Sequence, residues 1–400
     1  MPEHYESATT LYRSNVWRWR FVFAAVAAVL FGTPASPAAA QSGIPLGANV
    51  GFPDIYDPAM ESAFNTNFPK LVALMGVTPQ LIGGSVDSRI PISQWVANAA
   101  EQALSNAGTP LAQNLIEVLG VPMFSSATGA GTPDQQFRAF AAGQYDSVIN
   151  GIVQVWAQNG FTFLVIRLGW EMNLPGGSYY AGATAAAQKD WVTAFQHLYT
   201  VFHAAGIKYG ADIQVMWNPG STNYSPAKAT ANMYPGNNFV DLIGVDAYAD
   251  MYPYADTSKP TYHNWDTGGE VTSIAQFIAD PVNRVHYWNY PAANEYVLDA
   301  SGGYSQSINS VIQFALQMGK PFAVPECGAG NSAGGHDVAD DPQFPQWLAG
   351  ELAAAQAQGL QVMFVAPWDN DTAGNYEFSD GSKPHEAAAW AQYFGAASGQ

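Results

Sequence analysis

Two glutamates stand at the ends of short apolar runs, where a charged side chain is unexpected. Glu171 closes the stretch IRLGWEMN (166–173), which follows the strongly β-forming run FTFLVI (161–166). Glu326 ends the apolar part of VPECGAG (324–330). A charged side chain rarely ends such a run without a partner. Each glutamate could form an ion pair at the rim of the fold, or the two could act together on a substrate.

A pair of carboxyl groups is what the cleavage of a glycosidic bond requires. One carboxyl must be protonated to assist the leaving oxygen, and the other must be ionised to attack the sugar or to activate water. Two carboxyls in an enclosed site repel each other, so the pKa of one rises and their roles separate. Glu171 and Glu326 form a candidate pair if the fold brings them together.

The spacing of apolar runs predicts the elements that position this pair. Strand-forming runs alternate with segments of helical period, for example around 145–156 and 191–205. We therefore predict an α/β fold, a (β/α)8 TIM barrel in which the strand ends converge on one site. A doubly wound open sheet is the alternative, but no Gly-rich loop follows the first strand. The predicted strands cover 45–52, 80–86, 120–126, 161–169, 212–218, 239–248, 321–326 and 361–368.

In a barrel, residues at the carboxyl ends of the strands face one cleft. The period of two along a strand puts Arg167 on the same face as Glu171. There it could hold a carboxylate ionised, or it could form a structural ion pair. The other candidates at strand ends are Trp217, Asn218, Asp246, Tyr248, Trp368 and Asp369.

The motif IRLGWEMN resembles the fourth strand of retaining glycoside hydrolases of the (β/α)8 clan, especially family 26, which contains β-mannanases. The stretches DLIGVDAY (241–248) and VPECG (324–328) are similar to the family's sixth and seventh strands. The segment AAGQYDSVINGIVQVWAQNG (141–160) resembles its helix before strand four. The resemblance implies that Glu171 is the acid/base and Glu326 the nucleophile.

The same resemblance implies supporting roles at four positions and shows one departure. Tyr248 matches a tyrosine that hydrogen-bonds the nucleophile, and Trp368 matches the aromatic floor of the sugar subsite beside the cleaved bond. Asn173 and Arg167 match residues that shape and brace the end of strand four. In the family's mannanases a histidine usually precedes the acid/base, whereas this chain has Trp170. The sugar preference therefore stays open.

The leading expectation is a retaining endo-β-1,4-mannanase whose two carboxyls lie about 5–5.5 Å apart. A β-glycanase acting on another glucan, on xylan or on the producer's own exopolysaccharide is the first alternative. A non-catalytic carbohydrate-binding barrel is the second, although both carboxylates are present. A metal-dependent hydrolase is the third, but the isolated histidines lack HxH or HExxH spacing. We predict no metal and no cofactor.

The composition is compatible with a neutral sugar polymer as partner. The chain has 32 acidic and 14 basic residues and a net charge of -18. Nucleic acids and anionic membranes require clustered cations, so the composition disfavours both as partners. A hydrophobic content of 48% and an aromatic content of 13% allow a large core and flat surfaces for a polysaccharide or oligosaccharide. We expect the protein to act as a monomer.

Residues 1–40 have the pattern of a secretory signal peptide, with early arginines, an apolar stretch at 21–31 and small residues at 38–40. The apolar stretch is too short to span a bilayer as a helix, and an uncleaved membrane anchor is the alternative. We predict one catalytic domain over 41–400, secreted or periplasmic and free of the membrane once the signal is removed. The one cysteine, Cys327, is more typical of a small buried side chain than of a nucleophile.

A long insertion interrupts the rhythm between the sixth and seventh predicted strands. Segment 249–300 is rich in aromatic residues, and a loop this long in a compact domain is usually functional. It could wall the cleft, or its aromatic side chains could only anchor it to the barrel. These residues are Tyr252, Tyr254, Tyr262, Trp265, Tyr287, Trp288 and Tyr290.

Overall fold

The computed structural model describes most of the chain after residue 42. The described residues are 43–51, 58–108, 116–174, 180–182, 184–224, 230–251, 261–289, 304–332, 335–372 and 374–396. The predicted signal peptide at 1–40 lies outside them, as do Tyr252, Tyr254 and Tyr290. Within the described ranges, no helix combines the length and the apolar character that a membrane crossing requires.

Eight parallel strands form a (β/α)8 barrel, which confirms the predicted fold class. The strands pair in chain order, as expected when each βα unit lies beside the next. Parallel bridges from Leu46 to Val365 and from Asn49 to Trp368 join the first strand to the last. The strands are β1 (Gly47–Ala48), β2 (Leu81–Ser85), β3 (Ile116–Val121), β4 (Phe163–Leu168), β5 (Asp212–Trp217), β6 (Leu242–Tyr248), β7 (Phe322–Gly328) and β8 (Val362–Pro367).

The helices bury one apolar face each, as the periodicity predicts. For example, Ile149 and Trp156 of the fourth helix are fully buried. The connection from β5 to β6 has two 3₁₀ turns, Thr230–Met233 and Asn237–Phe239, in its described part. The helices are α1 (Pro58–Met75), α2 (Trp95–Gly108), α3 (Pro133–Ala141), α4 (Asp146–Gln158), α5 (Ala185–Tyr209), α6 (Ile274–Ala279), α7 (Pro281–Asn289), α8 (Ile308–Met318), α9 (Gln343–Ala357) and α10 (Pro384–Phe394).

The sequence analysis did not predict helix α3, although its start has a clear signal. Thr132 accepts a hydrogen bond from the amide of Gln135, and the Gln135 side chain accepts one from the amide of Thr132. This capping box satisfies two backbone donors at the helix start, and Pro133 supplies a preset φ for the first turn.

Two apolar layers lie on either side of the barrel wall. The larger one packs the outer strand faces against the helices. The smaller one fills the barrel interior with side chains from alternate strand positions, as expected for a packed barrel. Its buried members are Leu81, Val118, Val165, Met216, Leu242, Ala323, Phe364 and Ala366. Apolar side chains therefore fill the interior below the carboxyl ends of the strands, which form the upper end of the barrel.

The insertion after β6 is anchored by aromatic residues. Trp288 in α7 is buried, its ring packs against Trp347 in α9, and its Nε1 donates to the Ala249 carbonyl at 3.0 Å. The Trp265 ring stacks on His286 with centroids 3.6 Å apart. These contacts correspond to the anchoring role considered for segment 249–300.

The third strand begins earlier in the chain than the prediction placed it. The prediction was 120–126, because Glu117 interrupts the apolar pattern, whereas β3 covers Ile116–Val121. Glu117 lies on the outer face of β3, is 1% exposed, and accepts a hydrogen bond from Asn106 Nδ2 at 3.1 Å. Burial raises the pKa of Glu117 well above its usual value, although the Asn106 hydrogen bond opposes this. A neutral glutamic acid is compatible with a buried strand.

This environment predicts that Glu117→Gln stabilises the protein at high pH. The folded-state pKa is raised, so the unfolded chain ionises first and the wild type loses stability as the pH rises above the unfolded pKa. The loss is about 1.4 kcal/mol for each pH unit between the two pKa values. Glutamine avoids it, so urea unfolding should give the variant a higher free energy of unfolding at pH 8 than the wild type.

The comparison at pH 4 supplies the control, since both proteins then carry a neutral side chain and the advantage should vanish. Glu117→Ala, which leaves a cavity, should be less stable at both pH values. A Glu117→Gln variant that is destabilised equally at pH 4 and pH 8 contradicts the assignment of a neutral glutamic acid.

Candidate active site

The guanidinium of Arg167 is the centre of the polar cluster at the upper end of the barrel. It projects inward from β4 and is 4% exposed. Nη1 donates to Glu326 Oε1 at 2.6 Å, Nη2 to Asp246 Oδ2 at 2.7 Å, and Nε to Asn218 Oδ1 at 2.7 Å. The three acceptors come from β7, β6 and the end of β5. One side chain thus connects four strands, and four of the predicted site residues lie together.

Charge balance in this cluster favours an ionised Arg167. Burial alone would lower its pKa, but the carboxylates of Asp246 and Glu326 outweigh burial and raise it. Burial also raises the pKa of Asp246, while its 2.7 Å ion pair with Arg167 favours the ionised form. The direct ion pair favours an ionised Asp246, because its carboxylate lies 2.7 Å from the buried guanidinium. Negative charge beyond what one guanidinium balances favours a proton on the carboxyl that does not bond to Arg167.

That carboxyl is Glu171, just beyond the end of β4. Burial first, and then the charge of Glu326, raise the pKa of Glu171 to about 8, although Arg167 opposes the shift. Glu171 is therefore protonated at neutral pH. Its side chain remains partly exposed, so a ligand can reach it. A protonated carboxyl beside an ionised one is the division of roles that acid-assisted bond cleavage needs.

The backbone at Glu171 is unusual and fixes where its carboxyl points. Its φ of 53° makes it the one non-glycine residue in the described part of the chain with a left-handed backbone. The Glu171 amide donates to the Asn218 carbonyl at 2.8 Å. A Cβ on Gly220 would lie 3.3 Å from Glu171 Oε1. Strained backbone held by neighbouring elements is typical of functional sites.

Glu326 is held by two donors at an irregular point of β7. The pairing between β7 and β6 shifts register between Ala323 and Glu326, which turns Glu326 toward the interior. Arg167 donates to Oε1, and Tyr248 Oη donates to Oε2 at 2.8 Å. Burial, and then the charge of Glu326, raise the pKa of Tyr248, so its hydroxyl stays protonated and can donate. The two donors together fix the position of the Glu326 carboxyl.

The three carboxyl groups approach closely. One oxygen each from Glu171, Asp246 and Glu326 lie within 4.8 Å of one another. Such a group could in principle hold a divalent cation. Here the guanidinium of Arg167 already contacts Asp246 and Glu326 directly, so it supplies the positive charge that a metal would otherwise supply.

Two asparagines hold the loops beside the carboxyl pair. Asn173 Nδ2 donates to the Gly220 carbonyl at 2.8 Å, and the Gly220 amide donates to Asn173 Oδ1 at 2.9 Å. This reciprocal pair imitates a strand pairing between the segments that follow β4 and β5. Asn218 accepts from Arg167 through its side chain and from Glu171 through its carbonyl. It therefore connects the two sides of the site.

The ring of Trp170 packs over the guanidinium of Arg167. It is 8% exposed, and Arg167 Cζ lies 5.4 Å from the centroid of its ring. This is a cation–π distance. Gly120 on β3 leaves room for the ring, because a Cβ there would lie 2.9 Å from Trp170 Cζ3. Trp170 thus lies in the site, with its ring over the guanidinium of Arg167.

The structure does not bring Trp217 to the cluster, which corrects its assignment as a substrate-binding residue. It is 1% exposed, and its Nε1 donates to the Met233 carbonyl at 3.0 Å. Its ring packs against Tyr234 and Phe314 outside the barrel. Side chains alternate along a strand, so the inward-facing Asn218 forces Trp217 outward.

The last strand end contributes Trp368, while Asp369 has a different role. Trp368 is partly exposed, and its amide donates to the Cys327 carbonyl at 2.6 Å, beside Glu326. Asp369 is fully buried, and its Oδ1 accepts from the amides of Phe378 and Ser379. It therefore holds the loop after β8.

Asn49, just after β1, is a site residue that the sequence analysis missed. It is 5% exposed, and its Nδ2 donates to the carbonyls of Pro325 at 2.8 Å and Ala366 at 3.1 Å. A Cβ on Gly83 would lie 1.9 Å from Asn49 Oδ1, so glycine is required there. Asn49 fixes the backbone immediately before Glu326. The predicted first strand, 45–52, contained Asn49, whereas β1 ends at Ala48 and leaves Asn49 at a strand end.

Comparison with known proteins supports the fold. No protein-family model matches the sequence, and neither does any curated protein. A modular endo-β-1,4-mannanase from Cellulomonas fimi, of glycoside hydrolase family 26, is similar in structure with a TM-score of 0.51 and 15% identity, over 87% of this chain and 71% of that one. A double mutant of the Cellulomonas fimi endo-β-1,4-mannanase has a TM-score of 0.51 and 16% identity, over 88% and 71% of the two chains. An engineered protein has a TM-score of 0.54 and 15% identity, over 90% and 72%. These likenesses show a shared barrel fold.

The cluster predicts a large loss of stability for Arg167→Met. Methionine keeps an unbranched apolar stem but leaves Asp246 and Glu326 without their cation. Breaking a buried ion pair in this way costs about 3–5 kcal/mol. Urea unfolding at pH 7 should show this loss, and part of it should be recovered at low pH, where the carboxyls are protonated.

Arg138→Met is the matched control, because Arg138 forms a 2.6 Å pair with Asp190 while 57% of its side chain is exposed. A pair of this kind contributes less than about 1 kcal/mol. Equal losses in the two variants would show that the Arg167 cluster has no special energetic role.

Proposed function

We propose that this protein is a retaining glycoside hydrolase that cleaves a β-linked polysaccharide of neutral sugars, with β-1,4-mannan as the first substrate to test. The observation that carries the proposal is the approach of Glu171 and Glu326 within 4.8 Å at the ends of β4 and β7. One is protonated through its environment and the other accepts two hydrogen bonds. The similarity of the fold to endo-β-1,4-mannanases from Cellulomonas fimi adds support.

In the first step, Glu326 attacks the anomeric carbon while Glu171 gives its proton to the departing glycosidic oxygen. The C–O bond to the leaving sugar breaks, and an ester bond forms between the sugar and Glu326. Arg167 and Tyr248 hold the attacking carboxylate in place. A fixed nucleophile within reach of the bound sugar lowers the entropic part of the barrier.

In the second step, the now ionised Glu171 takes a proton from water as that water attacks the anomeric carbon. The ester bond to Glu326 breaks, and the sugar leaves with the configuration it had in the substrate. Both glutamates return to their starting protonation states. Glu171 is the group that gives and takes the proton, and Glu326 forms and breaks the bond to the sugar.

The separation of the carboxyls favours retention over inversion. Inverting enzymes keep their two carboxyls about 6.5–9.5 Å apart, because a water molecule must fit between one of them and the sugar. One oxygen of Glu171 lies within 4.8 Å of one oxygen of Glu326, which is below that range. This supports the closer separation of about 5–5.5 Å that direct attack on the sugar requires.

The charges around the pair favour a neutral sugar. Three carboxyl groups face a single guanidinium, so the site has no spare positive charge for a uronate or sulfate group. Trp170 adds an apolar ring beside the acid/base, and Trp368 is a candidate platform for the apolar face of a sugar. We further propose that residues 1–40 direct secretion and that the protein acts as a monomer.

Replacing each glutamate tests the function directly. Glu171→Gln and Glu326→Gln should both reduce hydrolysis on a panel of mannan, glucan and xylan substrates, scored by new reducing ends, by about 1,000-fold or more. NMR of the first product should show the same anomeric configuration as the cleaved bond. Glu117→Gln, a buried glutamate on the outer side of the wall, is the matched control and should keep full activity.

The outcomes separate the alternatives. Full activity in both variants would remove the proposed site, and inversion at the anomeric carbon would remove the double displacement. Binding of a polysaccharide by the wild type without any hydrolysis would indicate a carbohydrate-binding barrel. Hydrolysis of glucan or xylan in preference to mannan would keep the chemistry and change the substrate.

The pH dependence of kcat/KM follows from the acid/base. Glu171 must be protonated for the first step and has a pKa of about 8, so kcat/KM should fall tenfold for each pH unit above about pH 8. Glu171→Ala should not show this alkaline fall with an aryl glycoside whose leaving group needs no protonation. Persistence of the fall in that variant would assign the titration to another residue.

A further inference from the structure

Tyr376, in the loop after β8, is a buried tyrosine that connects three loops above the barrel. It is 3% exposed, and its hydroxyl donates to Asp250 Oδ2 at 3.1 Å. The same oxygen accepts from the amide and the hydroxyl of Ser332 at 3.2 and 2.6 Å. Asp250 follows β6 and Ser332 follows β7. The hydroxyl of Tyr376 therefore ties the loop after β8 to those after β6 and β7.

The ring of Tyr376 lies against three glycines, at each of which a Cβ would contact the ring too closely. A Cβ on Gly328 would lie 3.0 Å from Tyr376 Cδ1, one on Gly330 would lie 2.8 Å from the same atom, and one on Gly374 would lie 2.7 Å from Cε2. Two of these glycines are at or after the end of β7, and the third is beside Tyr376 itself. Three glycines around one buried ring indicate that the ring has one position.

Gly328 is also the cross-strand neighbour of Tyr248. The two residues pair between β7 and β6, and a Cβ on Gly328 would lie 3.5 Å from the Tyr248 ring. Cross-strand side chains normally pack against each other and restrict each other's rotation. Gly328 offers no side chain, and the Tyr376 ring takes that place. The rings of Tyr376 and Tyr248 have centroids 5.0 Å apart at an angle of 54°.

We propose that Tyr376 is a positioning residue for Glu326 and acts through Tyr248. The Asp250 and Ser332 contacts fix the Tyr376 ring, the ring fixes Tyr248, and the Tyr248 hydroxyl holds Glu326 Oε2 at 2.8 Å. The proposal rests on the function above only in taking Glu326 as the nucleophile.

A double-mutant cycle distinguishes this role from general support of the fold. Tyr376→Leu removes the ring, and kcat/KM should fall on the order of 100-fold, mainly in kcat, as for a nucleophile displaced by about 1 Å. In a Tyr248→Phe background, where the hydroxyl bond to Glu326 is already absent, the same substitution should change kcat/KM by less than about 2-fold. Tyr376→Phe keeps the ring and loses only the tether, so a fall of roughly 3- to 10-fold is expected.

Tyr199→Phe is the matched control, because the Tyr199 hydroxyl also donates to a partly buried aspartate, Asp241, at 3.0 Å, but on the outer side of the barrel. It should leave kcat/KM unchanged. An undiminished effect of Tyr376→Leu in the Tyr248→Phe background would overturn the proposal, and so would wild-type activity in Tyr376→Leu. Should Tyr376→Leu not fold, Tyr376→Phe enters the same cycle.

A crystal structure gives a second readout that needs no activity. In Tyr376→Leu the Tyr248 hydroxyl should move beyond hydrogen-bond distance of Glu326, and a hydroxyl that stays in place would overturn the proposal. This measurement decides the positioning role even if the wild type hydrolyses none of the substrates. Absence of hydrolysis would overturn the proposed function alone.

Discussion

A buried guanidinium that must be neutralised is the constraint on which this site depends. Arg167 lies inside the barrel with almost no access to water, and a charge in such a place is tolerated only when it is paired and hydrogen-bonded. Its three acceptors come from three other strands. Only a closed, parallel arrangement delivers side chains from β5, β6 and β7 to a group on β4. The barrel therefore brings together the groups that neutralise Arg167, and the cluster in turn joins four of its strands.

The same constraint separates the two glutamates chemically. Glu326 bonds to the guanidinium, whereas Glu171 is close to the cluster but has no direct bond to Arg167 among the described contacts. Glu171 thereby takes up a proton, while the Glu326 carboxyl is held by two hydrogen-bond donors. Glycines at positions 83, 120 and 220 give room for Asn49, Trp170 and Glu171. The upper end of the barrel thus combines small residues on the wall with large polar or aromatic side chains over them.

Much of the fold follows from local patterns, and the errors have physical causes. The third predicted strand was late because Glu117 reads as a break in an apolar run, although in the structure it is buried and neutral. Trp217 was assigned to the cleft because it stands at a strand end, whereas its face of the strand decides its direction. Asn49 was missed because the predicted first strand ran to residue 52, whereas β1 ends at Ala48. For Glu117 and Trp217 the deciding fact is which side of the barrel wall the side chain occupies.

By itself, the sequence determined that strands and helices alternate, that the fold is a (β/α)8 barrel, and that Glu171 and Glu326 lie near the carboxyl ends of two of its strands. These properties depend on residues near one another in the chain, whose periodicity is readable. The tertiary structure alone decided that the two carboxyls approach within 4.8 Å, that Arg167 lies between Asp246 and Glu326, and that Tyr376 packs on Tyr248. These contacts join residues far apart in sequence. Their distances and the burial of the carboxyl groups determine where the proton is held, and no local pattern encodes this.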